Sequence, residues 1–269
     1  MLDPTWPWTR VILWLALAAL LAVLVVRTIR RDRREYQRFK RYRSTVRRQG
    51  MFRKWLLESF LQFGGLSVAL LLLAGFAVAP LAAQLAEWPG VRDLRSFAVT
   101  DPGVLWGAVV GVFVGLGILT LLGARAARKE QDVVTIGDIQ AMLPRNRQEL
   151  RLGALLSINA GLVEELMFRL AVPALIFGAS GSAIAAVVFS VLLFGALHAY
   201  QGIAGVIGTT VIGAIMMLLY AVSGTIVVPM IVHALFDLRS LVVIPMAVYG
   251  VQRIDGSAPV AAPSPVTPG

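Results

Sequence analysis

Six ionisable residues sit inside otherwise apolar stretches in the second half of this chain: Glu164, Glu165, Arg169, His198, His233 and Asp237. A charged side chain at mid-bilayer costs about 2.5–3.5 kcal/mol on insertion scales. Such a group cannot face lipid together, so its members must face one another or a wet cavity. Both histidines of the chain belong to it. Acids and histidines grouped in apolar helices can carry protons or ions, as in pumps and transporters. They can also form a buried network that only fixes helix packing, but five acids and imidazoles on adjacent helices are hard to treat as packing alone.

Their spacing narrows the chemistry. Glu165 and Arg169 are four apart with the acid first, the favourable order for an ion pair on a helix. Glu164 lies about 100° round from Glu165. Arg169 therefore partly neutralises Glu165 and leaves Glu164 as the available carboxylate. Phe194 and His198 are four apart, as are His233 and Asp237, so each pair shares a helical face.

The elements that must position these residues are membrane helices. Of the 269 residues, 58% are hydrophobic, and the mean hydropathy is +0.77. The apolar residues come in blocks of about 20, the length that spans a bilayer as helix. Spans are expected at 11–26, within 55–86, and at 104–123, 151–179, 182–199, 202–221 and 225–249. Pro173 predicts a kink in the fourth. Gly107, Gly111 and Gly115 in the third make a close-packing stripe. Residues 133–143 could form a short interfacial helix, and the Pro-rich residues from 250 onward should be a disordered tail. The expected division is 1–123 as a three-span amino-terminal part, 124–150 as a cytoplasmic connector, 151–249 as a four-span core, and 250–269 as the tail.

Charge is concentrated in one place. Residues 27–54 hold 13 Lys/Arg and 2 Asp/Glu, against a net charge of +10 for the whole chain. Such a run after the first span stays cytoplasmic and places the amino terminus outside. It is also suited to anionic lipid headgroups. Nucleic-acid binding, with Tyr36, Phe39 and Tyr42 among the arginines, is the less favoured reading because a juxtamembrane run has the simpler explanation. Trp6, Trp8 and Trp14 suit the outer interface. Cysteine is absent, which excludes disulfides, thiol catalysis and Cys-ligated metals.

The segment Glu164-Glu165-Leu-Met-Phe-Arg169 resembles the EExxxR motif of the CPBP family, the CAAX proteases and bacteriocin-processing enzymes also called Abi proteins. Phe194-Gly-Ala-Leu-His198 resembles its FxxxH motif, and His233-Ala-Leu-Phe-Asp237 resembles its HxxxN/D motif. Ser223-Gly-Thr-Ile, ahead of Pro229, is similar to the family's approach to the third motif. The order and separate helices make the three together specific, over about residues 150–240. The resemblance implies an intramembrane endopeptidase in which Glu164 and His198 activate water, His233 and Asp237 stabilise the oxyanion, and Glu165 and Arg169 support the site. Many members have Asn where this chain has Asp237. An ionised Asp cannot donate to an oxyanion, so Asp237 would be protonated or would hold His233 in its cationic form. Glu164, His198, His233 and Asp237 could instead bind zinc, which accepts such ligands. No HExxH helix is present, and metal-free chemistry is favoured.

The expectation is therefore an all-α polytopic membrane protein of about seven transmembrane helices, with the carboxy-terminal four forming a CPBP/Abi-like core. Its expected function is CAAX-prenyl-protease-like endopeptidase activity on a membrane-associated protein or peptide. The alternatives are a non-catalytic member that regulates a partner membrane protein, and a proton-coupled transporter. The expected setting is a bacterial cytoplasmic membrane, with the site open to the cytoplasmic side.

Overall fold

A computed structural model describes residues 2–27, 31–100, part of 103–120, and 138–256, and helix is the only regular structure among them. The helices are α1 Thr9–Arg27, α2 Arg33–Lys40, α3 Thr45–Ala86, α4 Pro89–Thr100, α5 Arg147–Glu165, α6 Val172–Ser180, α7 Ala183–Leu197, α8 Gly202–Ser223, α9 Val227–Leu238 and α10 Ile244–Tyr249. By length and composition, four helical runs among the described residues can cross a membrane: α1, α3, Ala199–Ser223, and Val227–Tyr249, which joins α9 to α10. This is an all-α polytopic membrane protein. The expected span at 151–179 lies within the helical run from α5 to α6, and that at 182–199 contains the shorter apolar helix α7. The span at 104–123 falls partly outside the described residues, as does the expected interfacial helix. Of the latter, Gln140–Met142 forms a single 3₁₀ turn.

Helix ends follow local chemistry. The side chains of Ser44, Asn146 and Ser182 accept from the backbone N–H three residues on and so start α3, α5 and α7. Gly181 and Gly224 stop α6 and α8 at φ +73° and +67°, where a Cβ would be strained. Pro173 lacks the N–H that would bond residue 169, and its ring clashes with that carbonyl. The helix widens there into a π turn, Leu166–Ala171, placed between Glu165 and α6. Ser190 of α7 donates to the Phe168 carbonyl inside this turn at 2.6 Å, restoring a bond in an environment without water. Pro245 stands in the same relation to a second π turn, Arg239–Val243, directly after α9.

The two halves of the chain share one apolar core. Leu13, Leu17, Leu20 and Leu24 form a buried stripe along α1 that joins a cluster with Val172, Leu175 and Ile176 of α6. The opposite face of α1, including Trp14 and Val23, is exposed, as a lipid-facing surface must be. Between membrane helices the packing force is contact rather than water exclusion, so small residues set the distances. Gly161 shows this: a Cβ there would lie 2.8 Å from the Met230 carbonyl oxygen and from Ala234 Cβ. That seam clamps α5 to α9 and brings the ends bearing Glu164, Glu165, His233 and Asp237 together.

The basic segment is folded. α2 turns Tyr36 and Phe39 inward, and Phe39 packs on Phe52 and Trp55 of α3 with ring centroids 5.6 and 4.7 Å apart. Glu35 accepts from Lys54 and Arg31, so α2 and the start of α3 form a helical hairpin. Arg48 is buried and paired with Glu149 at 3.0 Å, which fixes the hairpin to the first turn of α5. Residues 251–256, expected in the tail, also dock there: Arg147 N–H donates to the Ile254 carbonyl, and Gln49 donates to that of Gly256. The rest of the tail, 257–269, lies outside the described residues.

Candidate active site

Glu164, His198, His233 and Asp237 line one cavity of about 400 Å³. Glu164 lies in the last turn of α5, His198 caps α7, and His233 and Asp237 lie one turn apart on α9. Among the described residues no group donates a hydrogen bond to the Glu164 carboxylate, which faces the cavity half-buried.

Different partners orient the two imidazoles. His198 Nδ1 lies 2.8 Å from the Phe194 carbonyl oxygen. A carbonyl only accepts, so Nδ1 carries the hydrogen and the neutral ring presents its lone pair at Nε2. His233 Nδ1 lies 2.7 Å from Glu165 Oε1, while its Nε2 is 3.7 Å from Asp237 Oδ2, beyond hydrogen-bond range. Glu165 is fully buried and also meets Arg169, through Nη2 to Oε1 at 3.1 Å and Nε to Oε2 at 2.9 Å. The predicted Glu165–Arg169 pair is present. The second partner of Glu165, His233, lies 68 residues away and was not anticipated from local spacing.

Phe194 sits at the centre of this group. Its ring centroid is 4.8 Å from that of His198 and 6.1 Å from that of His233, the latter edge-on at 86°, and the Arg169 guanidinium lies 5.2 Å from its centroid. Gly213 of α8 makes room for it, since a Cβ there would come within 2.9 Å of the ring. Among the described residues no set of three or more His, Asp and Glu side chains is disposed to hold a metal ion, so the four candidate zinc ligands do not compose a metal site as placed.

The far wall of the cavity comes from the amino-terminal half: Arg27, Asp32, Tyr36, Trp55 and Phe63 line it. Tyr36 donates its hydroxyl to the Asp138 carbonyl, and its ring lies 5.4 Å from Tyr200, whose ring is 6.0 Å from His198. Burial, with Asp138 alongside, pushes the Tyr36 phenol above its ordinary range, so it remains a donor. An aromatic path thus joins the basic hairpin to a motif histidine. The signal for it was the inward pair Tyr36 and Phe39, three apart among charges. Arg239 lines the cavity and donates to Thr120.

Residues 146–239 match the family model described as type II CAAX prenyl endopeptidase Rce1-like. All six ionisable motif residues fall within the matched stretch, and residues 1–145 lie outside it. Comparison with curated proteins and with solved structures gives no match.

Proposed function

With residues 146–239 forming a type II CAAX prenyl endopeptidase Rce1-like domain, we propose that this membrane protein hydrolyses peptide bonds of a membrane-associated protein or peptide, using water activated by Glu164 and His198. The observation that carries this reading is the convergence of Glu164, His198, His233 and Asp237 on one cavity. The roles follow from hydrogen-bond capacity. Glu164 and the Nε2 lone pair of His198 hold a water and take its proton as its oxygen attacks the scissile carbonyl carbon. Doubly protonated His233 donates Nδ1–H to Glu165 and offers Nε2–H to the oxyanion. Glu165 and Asp237 counter its charge. The abstracted proton then passes to the leaving nitrogen as the C–N bond breaks.

The basic hairpin sets the orientation, with its side of the bilayer cytoplasmic and the amino terminus outside. The cavity then opens at the cytoplasmic end, where a prenylated carboxy-terminal segment or a leader peptide could enter. Mass-spectrometric comparison of protein termini tests the reading, in cells making the protein or its Glu164→Ala variant at equal abundance. New termini that vanish in the variant establish proteolysis and identify the substrate; identical termini count against catalysis. On that substrate, activity should survive a strong zinc chelator, and loss on chelation with recovery on adding zinc would overturn the metal-free mechanism.

A further inference from the structure

We propose that the outward face of α2 is a docking surface for anionic phospholipid headgroups, so that one short helix binds the bilayer on one side and walls the cavity on the other. On α2, Tyr36 and Phe39 point inward, and Arg34, Arg38 and the C-cap residue Arg41 project from the opposite face, all exposed. Other cations of the segment are matched: Arg27 with Asp32, Arg31 and Lys54 with Glu35, Lys40 with Asp138, and Arg48 with Glu149. Arg34, Arg38 and Arg41 have no acidic partner among the described residues. Three of the segment's unmatched charges are thus gathered on this one face, while Arg33, Arg43, Arg47 and Arg53 are exposed elsewhere along it.

Position selects the partner. α1 reaches Arg27 as a membrane-spanning helix, and α3 returns the chain to the membrane. The 42 residues of α3 would run about 63 Å as helix, roughly twice the hydrocarbon thickness, so its first turns stand among or just above the headgroups. α2 packs on those turns through Phe39, Phe52 and Trp55. Its arginines are thus held near the bilayer surface, where attraction to anionic lipid acts over a Debye length of about 8 Å. A partner fixed at that height and lining every side of the protein is the membrane itself.

The test reads lipid rather than proteolysis, so it stands apart from the proposed activity. The full chain in detergent is given equal amounts of phosphatidylglycerol and phosphatidylcholine, and retained lipid is counted by native mass spectrometry. Each arginine near an anionic surface is worth about fivefold. The combined variant Arg34→Gln, Arg38→Gln, Arg41→Gln should lower the preference for phosphatidylglycerol by at least about tenfold. The three Arg→Lys replacements should keep it, and Arg92→Gln on α4 should not change it. An unchanged preference in the triple Gln variant overturns the proposal. So does a wild-type protein that binds poly-glutamate through these arginines but shows no lipid preference, which would make the surface a reader of acidic polypeptide.

Discussion

Two buried ion pairs lie at opposite ends of α5, and they are built to different standards. At its start, Arg48 and Glu149 are each 1% exposed. Arg48 bonds both carboxylate oxygens, donates to the carbonyls of Ala141 and Leu143 at 3.0 and 3.1 Å, and stacks 4.4 Å from the centroid of Phe39. Glu149 also accepts from the Arg145 N–H at 3.1 Å. At the other end, Glu165 and Arg169 are equally buried, yet Arg169 Nη1 finds no acceptor among the described residues. The Nε–Oε2 contact at 2.9 Å has the distance of an ion pair without the angle of a hydrogen bond. A fully satisfied pair serves as a lock. The other pair shares its carboxylate with His233, and its bonds orient a cavity residue instead of closing on each other.

Breaking the lock should have the largest effect on stability. Removing one partner of a buried pair costs about 3–5 kcal/mol, so Arg48→Met should lower the unfolding midpoint in detergent sharply. Adding Glu149→Leu should recover much of that loss, because two apolar residues leave no orphaned charge. If the single variant melts like the wild type, the pair is not a lock.

The same operation at the other end should register in turnover. Glu165→Gln leaves volume unchanged but weakens the hold on His233 Nδ1. If His233 donates to the oxyanion, kcat in the folded fraction should fall by about 10²–10³, beside any melting loss from the Arg169 charge left unpaired. A melting loss with unimpaired kcat in the folded fraction would assign both pairs to structure.

Gly161 lies between the two pairs and sharpens the contrast. Its neighbours are backbone and Cβ atoms that cannot rotate away, so Gly161→Ala must separate α5 from α9. Overpacking of this kind costs about 1–3 kcal/mol, and Glu165 would draw back from His233. Stability and kcat should decline together, unlike in Arg48→Met.

The smallest effect belongs to the hairpin's outer network. Partial burial works to raise the Glu35 pKa, but hydrogen bonds from Lys54 and Arg31 outweigh it and hold the carboxyl below its ordinary value. A lowered folded-state pKa adds stability above the unfolded pKa, and that stability is lost as pH falls through the folded value. The wild type should therefore exceed Glu35→Gln by at most about 1 kcal/mol at pH 7. The gap should close below the ordinary carboxylate range, as read from paired melting curves.

What the sequence made legible was whatever repeats within a helix turn. The partners Glu165 and Arg169, and the shared faces of Phe194 with His198 and of His233 with Asp237, all express spacings of four residues or fewer. Contacts across the chain have no such period. Arg48 is 1% exposed whereas Arg47 is exposed, yet in the sequence both belong to one basic run. The separation lies in Glu149, 101 residues further on. Tyr36 likewise looked like an aromatic among charges, and its place over the cavity depends on Asp138 and Tyr200. Pro173 announced a deviation but not its form, because a lost hydrogen bond can be absorbed as a kink or as the π turn found here.

The glycine seams also govern traffic. Gly161 welds α5 to α9, and Gly213 lets Phe194 of α7 bed into α8. Neither seam can part to admit a polypeptide without tearing the motif residues from their positions. Entry of the proposed substrate is then left to the side closed by rotatable rings, where Tyr36 leans on Tyr200 beside His198. On the proposed function, a guest arriving there would meet the doorway of the amino-terminal half before the motif residues of the carboxy-terminal half.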